Sequence, residues 1–191
     1  MKAGLFFGSF NPIHSGHLAL ADYMLEYTDL QNIWFIVSPQ NPFKNKSDLL
    51  DEKDRLKIVN IAIGNNTKLK ACDIEFELPQ PSYTITTLNC LKVKYPEYEF
   101  ALIMGADNLE NFHKWKNYEE ILKHYQLYVY PRTESDGGEL KNHPHVKIVN
   151  APLMEISSTA IRKAIKESND IRSFIPDAVY QYIKKMHFYE K

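Results

Sequence analysis

The sequence contains little cysteine and no long hydrophobic run. Its two cysteines, Cys72 and Cys90, stand far apart without close cysteine or histidine neighbours, which excludes a zinc motif and a disulfide framework. We therefore expect reduced thiols in the core. No apolar stretch approaches the length of a transmembrane helix, and the run after Lys2 is too short for a signal-peptide core. These absences predict a cytoplasmic protein that does not enter a membrane.

Neither sign of charge dominates, since 23 lysines and arginines face 24 aspartates and glutamates, for a net charge of -1. The basic residues are spread along the chain, which disfavours a long nucleic acid or an anionic membrane as partner. Two common nucleotide-binding motifs, the Walker A pattern and G-x-G-x-x-G, are also missing. We therefore expect small-molecule partners, and any nucleotide must be held by another arrangement.

Hydrophobic residues make up 44% of the 191 residues, enough for one buried core and unlike the composition of a disordered chain. Short apolar runs alternate with helical spacing along the chain. The strand-like runs are residues 3–7, 33–37, 69–78, 99–104, 127–130 and 146–149. This alternation predicts an α/β, Rossmann-like, doubly wound parallel sheet in a single domain over residues 1–191. Two amphipathic segments predict a small C-terminal helical part over about 156–191.

The segment GSFNPIHSGH, from Gly8 to His17, connects the first predicted strand to the first helix. It lies at the carboxyl edge of the sheet, where such folds bind ligands. Glycine permits close approach of the backbone, and the following helix N-terminus offers N–H groups and partial positive charge, which suit a phosphate. His14 and His17 share one side of the first helical turn. Their rings would stabilise a phosphoryl group whose charge shifts during transfer.

Other interpretations of this segment stay open. Gly8 and Pro12 could simply shape a tight turn in which the histidines cap or pack, and a metal pair at i and i+3 would need a further ligand. A second segment places three small hydroxyl residues before Arg162 at the start of an amphipathic helix. Alone it reads as an ordinary N-cap with a surface arginine, but together with the first segment it indicates a second anion clamp.

Four segments stand in a recognisable order: Gly8-Ser9-Phe10-Asn11-Pro12 with His14-Ser15-Gly16-His17, then Pro81-Ser82-Tyr83-Thr84, then Gly105-Ala106-Asp107 followed by Lys114-Trp115, and finally Ile156-Ser157-Ser158-Thr159-Ala160-Ile161-Arg162. Together they resemble the H-x-G-H nucleotidyltransferase superfamily, and within it the nicotinate-nucleotide adenylyltransferases. The resemblance runs nearly end to end. It implies transfer of AMP from ATP to nicotinate mononucleotide with magnesium, giving nicotinate adenine dinucleotide and pyrophosphate in NAD biosynthesis.

The resemblance also implies a role for each segment. The residues expected to act on the ATP phosphates in catalysis are His14, His17, Lys44 and Arg162. Those expected to bind ATP are Gly8, Ser9, Phe10, Gly16, Ser157, Ser158 and Thr159. Those expected to bind nicotinate mononucleotide are Asn11, Ser82, Tyr83, Thr84, Asp107 and Trp115. The attacking phosphate is already ionised, so positioning and charge neutralisation suffice without a general base. The metal ligands stay unassigned.

Within the group expected to bind nicotinate mononucleotide, main-chain N–H groups near Tyr83 and the Thr84 side chain are expected to bind the pyridine carboxylate. Trp115 is expected to stack on the pyridine ring, and Asp107 to hold a ribose hydroxyl. Arg132 follows the fifth strand in Pro131-Arg132-Thr133, where the family typically has Arg-Pro-Gly, and receives no role.

The opening motif departs from the commonest family form, with Phe7 in place of the first glycine and Asn11 in place of aspartate. Related enzymes that act on nicotinamide mononucleotide often carry the same GSFNP version. The expected preference for nicotinate mononucleotide, the acid, over nicotinamide mononucleotide, the amide, therefore depends on Ser82 to Thr84 and on Trp115. An amide-specific or dual-specificity adenylyltransferase is therefore one alternative.

A pantetheine-phosphate adenylyltransferase or a cytidylyltransferase is another alternative, although those chains commonly have threonine at the position of His14. A non-catalytic nucleotide sensor is a third, disfavoured because a binder does not need every transition-state donor. The sequence leaves the oligomeric state open.

Overall fold

The computed structural model describes residues 1–39, 49–153 and 155–190. At its centre is a six-stranded sheet in the order β3-β2-β1-β4-β5-β6, in which every pair of neighbouring strands is parallel. The strands are β1 (Lys2–Gly8), β2 (Asn32–Val37), β3 (Leu69–Cys72), β4 (Glu99–Gly105), β5 (Leu127–Tyr130) and β6 (Val146–Ile148). The predicted Rossmann-like sheet is confirmed.

Helices connect the strands and continue beyond the last one. They are α1 (Ser15–Tyr27), α2 (Glu52–Ile63), α3 (Thr84–Lys94), α4 (Ala106–Glu110), α5 (Tyr118–His124), α6 (Ser158–Lys166) and α7 (Asp177–Met186). Short 3-10 turns occur at Ile74–Glu77, Phe112–Lys114 and Gly138–Asn142. Side-chain caps fix two of the starts, since Asp51 accepts from the Lys53 N–H and Ser157 accepts from the Ala160 N–H.

The two faces of the sheet are covered by different helices. Because side chains alternate along a strand, β2 directs Phe35 into one core cluster and Trp34 into the other. The Phe35 side also contains buried residues of α1, α2, α6 and α7, whereas the Trp34 side contains those of α3, α4 and α5. Burial on both faces explains why the strands are continuous apolar runs rather than alternating ones.

The third strand is shorter than the sequence indicates. The apolar run at 69–78 was expected to be extended, but β3 ends at Cys72 and a 3-10 turn begins at Ile74. As the edge strand, β3 pairs with β2 alone. After β3 the chain turns toward α3. There the buried Glu75 carboxylate accepts hydrogen bonds from the Thr87 and Ser82 hydroxyls at 2.7 and 3.1 Å.

The strand order reverses at β1 and β4, which lie side by side in the centre of the sheet. From the carboxyl end of β1 the chain crosses to α1 on one face, and from that of β4 it enters α4 on the other face. Diverging connections leave a crevice at this switch point. The GSFNP segment and Asp107 therefore lie on opposite sides of one crevice.

Candidate active site

A cavity of about 530 Å³ opens at the carboxyl end of β1. Its walls are the β1–α1 connection, residues 130–133 at and beyond the end of β5, and the start of α6. Residues from both predicted phosphate-binding groups line it: Ser9, His14, Gly16, His17, Ser157, Ser158, Thr159 and Arg162. Of the residues predicted to bind nicotinate mononucleotide, Asn11 also lines it. The two segments that the sequence suggested as paired anion clamps thus meet at one site.

The first turn of the β1–α1 connection is held by a buried ring. Phe10 is 2% exposed and has a φ of +45°, which is uncommon for a residue other than glycine. Its ring packs edge-to-face against Phe6 and Phe35. A Cβ on Gly8 would lie 2.9 Å from that ring, so glycine is required there to let the ring fold back. The Phe10 side chain therefore anchors the loop, and only its backbone is left for a ligand.

The two histidines form a stacked pair at the start of α1, with ring centroids 3.7 Å apart. His14 is the N-cap residue, and its N–H donates to Nδ1 of His17 at 3.2 Å. Because Nδ1 accepts this bond, the proton of a neutral His17 ring is on Nε2. His17 is therefore oriented as a hydrogen-bond donor at the cavity wall.

His14 is 4% exposed, and among the described residues its Nδ1 has no hydrogen-bond partner. Burial, aided by the positive charge of Arg132, lowers the pKa of His14 to about 4. The ring is therefore neutral at pH 7. A buried polar atom at a cavity wall that lacks a protein partner is expected to form its hydrogen bond with a bound ligand.

The His14 pKa leads to a prediction about stability. A histidine whose pKa lies near 4 when folded and 6.5 when unfolded destabilises the folded state as pH falls through that window, because the unfolded chain binds the proton first. The penalty reaches about 3 kcal/mol at pH 4 and vanishes above pH 7. The free energy of unfolding of wild type and of His14→Gln is measured by urea titration at pH 7 and at pH 4. On going from pH 7 to pH 4, wild type should lose about 3 kcal/mol more than the variant does. The exposed His113, replaced by Gln, is the control, and a His14→Gln difference that is independent of pH would contradict the prediction.

The start of α6 is bonded directly to the β1–α1 connection. Arg162 donates from Nη1 to the Asn11 carbonyl, and the Ser158 hydroxyl donates to the Pro12 carbonyl, both at 2.9 Å. Arg162 also reaches the Thr159 hydroxyl from Nη2 at 3.4 Å. These contacts fix the N-terminus of α6 and a guanidinium charge beside the histidine pair.

Asn11 is a point of convergence that the sequence does not reveal. Its side chain is 4% exposed, and Oδ1 accepts from the Tyr189 hydroxyl at 2.8 Å and from the Leu50 N–H at 3.2 Å. Tyr189 is 178 positions away in sequence, so no local spacing could indicate the contact. Burial raises the pKa of this tyrosine, which stays protonated and donates.

Arg132, to which the sequence assigned no role, lines the cavity on the β5 side. Its Nε lies 3.6 Å from Oδ1 of Asp107 at the start of α4, and its Nη2 donates to the Tyr130 hydroxyl at 3.2 Å. A Cβ on Gly105 would lie 2.3 Å from the Asp107 carboxylate, so the glycine leaves space for this pair. Arg132 therefore links the cavity to Asp107 on the other side of the crevice.

The residues predicted to hold the pyridine lie outside the lining of the cavity. Tyr83 is the N-cap of α3, and its ring lies under Nζ of Lys116 at 4.3 Å. Lys116 directly follows Trp115, whose half-buried ring packs on Phe112 with centroids 4.9 Å apart. The two pyridine segments are thus neighbours in space. Since the Ser82 hydroxyl donates its proton to Glu75, the donors left in this segment for a ligand carboxylate are its main-chain N–H groups and the Thr84 hydroxyl.

Two further expectations concern charge and metal. Lys44 lies outside the described residues. Among residues 1–39, 49–153 and 155–190, no group of three or more histidine, cysteine, aspartate or glutamate side chains is arranged to hold a metal ion.

Two expectations from composition concern membranes and cysteines. Over the described ranges no helix has the length and apolar character needed to cross a membrane. Cys72 and Cys90 are free thiols.

Comparisons with known proteins identify relatives of this chain. The cytidylyltransferase-like family model matches residues 5–164. The chain is 53% identical, over 100% of both lengths, to a "Probable nicotinate-nucleotide adenylyltransferase" of Flavobacterium johnsoniae. It is 48% identical to a protein of the same name from Bacteroides fragilis, over 95% of this chain and 90% of the relative.

Solved structures share the fold. The Plasmodium falciparum nicotinic acid mononucleotide adenylyltransferase complexed with NaAD superimposes with a TM-score of 0.81 at 23% identity, over 99% of this chain and 97% of that one. A putative nicotinate-nucleotide adenylyltransferase from Vibrio parahaemolyticus gives a TM-score of 0.73 at 20% identity, over 100% and 96%. At this level of identity the likeness establishes the architecture alone.

Proposed function

We propose that this chain, which belongs to the nicotinate-nucleotide adenylyltransferase family of cytidylyltransferase-like proteins, transfers AMP from ATP to nicotinate mononucleotide. The products are nicotinate adenine dinucleotide and pyrophosphate. The observation that carries the proposal is the convergence of the stacked histidine pair with the N-terminus of α6 and Arg162 on one cavity. Hydrogen-bond donors and positive charge are concentrated there, which is what the transfer of a phosphoryl group needs.

In the reaction, an oxygen of the mononucleotide phosphate attacks the α-phosphorus of ATP. The bond from that phosphorus to the bridging oxygen breaks, and the bridging oxygen leaves with pyrophosphate. The attacking oxygen is already ionised, so no residue has to remove a proton. His17 donates from Nε2 to the phosphate oxygens as their charge shifts, and Arg162 neutralises charge on the leaving side.

The mononucleotide binds across the crevice from the ATP phosphates. Its pyridine carboxylate accepts hydrogen bonds from the first N–H groups of α3 and from Thr84, while the indole of Trp115 stacks on the ring. Asp107 accepts from a ribose hydroxyl. The contact between Asp107 and Arg132 places a positive charge between this half of the site and the phosphate cavity.

Magnesium belongs to the proposal as the counter-ion of ATP. The described residues form no metal cage, and magnesium is commonly held by substrate phosphates with few protein ligands. No step above depends on a protein-bound metal. A reaction that consumes ATP and a chain with free thiols both fit the cytoplasm as the place of action.

The direct test is the release of pyrophosphate from ATP with nicotinate mononucleotide, nicotinamide mononucleotide or phosphopantetheine as acceptor. We expect release with the first acceptor and far less with the others. Equal rates with the two mononucleotides would make the enzyme dual-specific, and a preference for phosphopantetheine would move it to another branch of the superfamily.

A variant of Arg162 tests the second clamp. Arg162→Ala removes a charge-assisted contact to phosphates that are present before and during transfer, so KM for ATP should rise by about 10-fold or more. The neighbouring Lys163, whose side chain is 75% exposed, is the matched control, and Lys163→Ala should leave KM within about twofold of wild type. If Arg162→Ala has unchanged KM, kcat and inhibition by pyrophosphate, Arg162 serves only to dock α6.

A further inference from the structure

Arg55, in the first turn of α2, is a fully buried arginine with 0% exposure. Its guanidinium donates to four main-chain carbonyls. The Nε atom donates to Leu50 at 2.9 Å, Nη1 donates to Ser9 at 2.6 Å and Ser38 at 2.8 Å, and Nη2 donates to Pro39 at 2.9 Å. These carbonyls belong to three separate segments that follow β1, follow β2 and precede α2.

The charge of Arg55 is compensated by peptide dipoles. Within the described ranges no carboxylate forms an ion pair with it. Burial lowers its pKa, while Glu52 and Asp51 oppose that shift from a distance. Arginine stays charged even so, and a buried charge that is not paired is costly compared with an apolar side chain of similar length. An apolar side chain of similar length would fill the space between these three segments at lower cost, so packing alone does not explain the arginine.

Two of the carbonyls that accept from Arg55 belong to residues that line the cavity or bond to a residue that lines it. Ser9 is one of its lining residues. Leu50, whose carbonyl accepts from Arg55, donates its own N–H to Oδ1 of Asn11, another lining residue. Because a trans peptide is planar with its C=O and N–H antiparallel, fixing the Ser9 carbonyl also fixes the Phe10 N–H so that it points away from the guanidinium.

A cation at one end of a hydrogen-bonded peptide also strengthens the donor at the other end, since neighbouring hydrogen bonds polarise one another. The Arg55 charge lies in the protein interior, where solvent screens it weakly. Its field therefore acts on the Ser9–Phe10 peptide and on the cavity behind it.

We infer that Arg55 is a positioning residue for the phosphate site, which holds and polarises the Ser9–Phe10 peptide so that the loop after β1 binds the ATP and pyrophosphate anions. The inference rests on the proposed function only in taking the cavity as that phosphate site. It adds a charged residue from α2 to a site otherwise built from the loop after β1, the start of α1, the end of β5 with the residues that follow it, and the start of α6.

The experiment compares Arg55→Met, Arg55→Lys and Lys57→Met, the last being an exposed lysine two positions along the same helix. Each full-length variant is checked for a cooperative thermal transition, then titrated with inorganic pyrophosphate by calorimetry and assayed for turnover. We expect Arg55→Met to weaken pyrophosphate binding by about 10-fold and lower kcat by about 10²-fold, the scale of one lost preorganised donor. Arg55→Lys should recover part of both, because the ammonium keeps the charge but has only three donors for four carbonyls. Lys57→Met should stay within about twofold of wild type.

A merely structural arginine gives a different pattern, in which both Arg55 variants melt at lower temperature but bind pyrophosphate and turn over as wild type does. That result would overturn the inference. If Arg55→Met does not fold, Arg55→Lys decides alone, and wild-type affinity and kcat in that variant would equally overturn it. A wild type that fails to bind pyrophosphate would overturn the phosphate site and the inference together, whereas binding by wild type with unaffected variants would remove Arg55 only.

Discussion

We expect His17→Ala to lower kcat by about 10²- to 10³-fold while the protein stays folded. This is the usual cost of losing one preorganised donor to a transition state. The Nδ1 atom of His17 already accepts the His14 N–H at 3.2 Å, so the ring cannot rotate freely and Nε2 is held ready to donate. A donor fixed before the substrate arrives needs no reorganisation during the reaction, which is why the expected effect falls on kcat more than on KM.

Removal of the same ring has a structural cost that must be separated from the catalytic one. The ring packs edge-to-face on Phe6 and Phe10 with centroids 5.7 and 5.2 Å away, and the His14 N–H loses its acceptor. We therefore expect a modest loss of stability, on the order of 1 kcal/mol, together with the large loss of activity. Single-turnover rates at saturating ATP are measured beside urea unfolding, with the exposed His124→Ala as control. If folded His17→Ala turns over within a few-fold of wild type, His17 is a capping residue and not a catalytic one.

The parts of this site that the sequence predicted are those set by local rules. Glycine after a strand, a histidine pair three residues apart and hydroxyl residues before an amphipathic helix each follow from backbone geometry. The structure accordingly starts α1 immediately after His14 and caps α6 with Ser157. Even the meeting of the two segments follows from the carboxyl-edge rule for parallel sheets.

The parts that were not predicted depend on contacts distant in sequence. Arg55 stands in the charged run Glu52-Lys53-Asp54-Arg55, which reads as a solvated helix face, and only the fold reveals that its guanidinium is inside. Glu75 lies in an apolar stretch that resembled a continuing strand, yet its buried carboxylate ends that strand. Local periodicity reports which face of an element is buried on average, and a single polar residue that enters the core to bond distant carbonyls or hydroxyls does not change that average.

The other large expected effect concerns the choice of nicotinate over nicotinamide mononucleotide, for which we expect a ratio of kcat/KM of about 10⁴. A pyridine carboxylate only accepts hydrogen bonds, whereas a carboxamide carries an NH₂ group. At the start of α3 that NH₂ would face the N–H groups of the first helical turn, donor against donor. The Ser82 hydroxyl donates its proton to Glu75, so the donors left to face the pyridine substituent are the main-chain N–H groups and the Thr84 hydroxyl. The site should therefore reject the amide, because these donors would be left unpaired once the bound ring covers them.

Three variants separate the sources of this selectivity. Trp115→Ala should weaken both mononucleotides alike, because stacking depends on the ring and not on its substituent. Thr84→Val, which keeps the shape of the side chain but removes its donor, should reduce kcat/KM for the acid more than for the amide and so narrow the ratio. The exposed Thr86→Val in the same helical turn is the matched control and should leave the ratio unchanged.

Steady-state kinetics of wild type and the three variants with both mononucleotides decide the outcome. Near-equal wild-type values would contradict acid specificity and favour a dual-specificity enzyme, whose opening motif GSFNP is equally compatible with the amide. An undiminished ratio in Thr84→Val would transfer the discrimination to the main-chain N–H groups of Tyr83 and Thr84, which no side-chain substitution removes. Selectivity would then depend on how firmly Glu75 holds the turn before α3, since a backbone donor discriminates only while its direction is fixed.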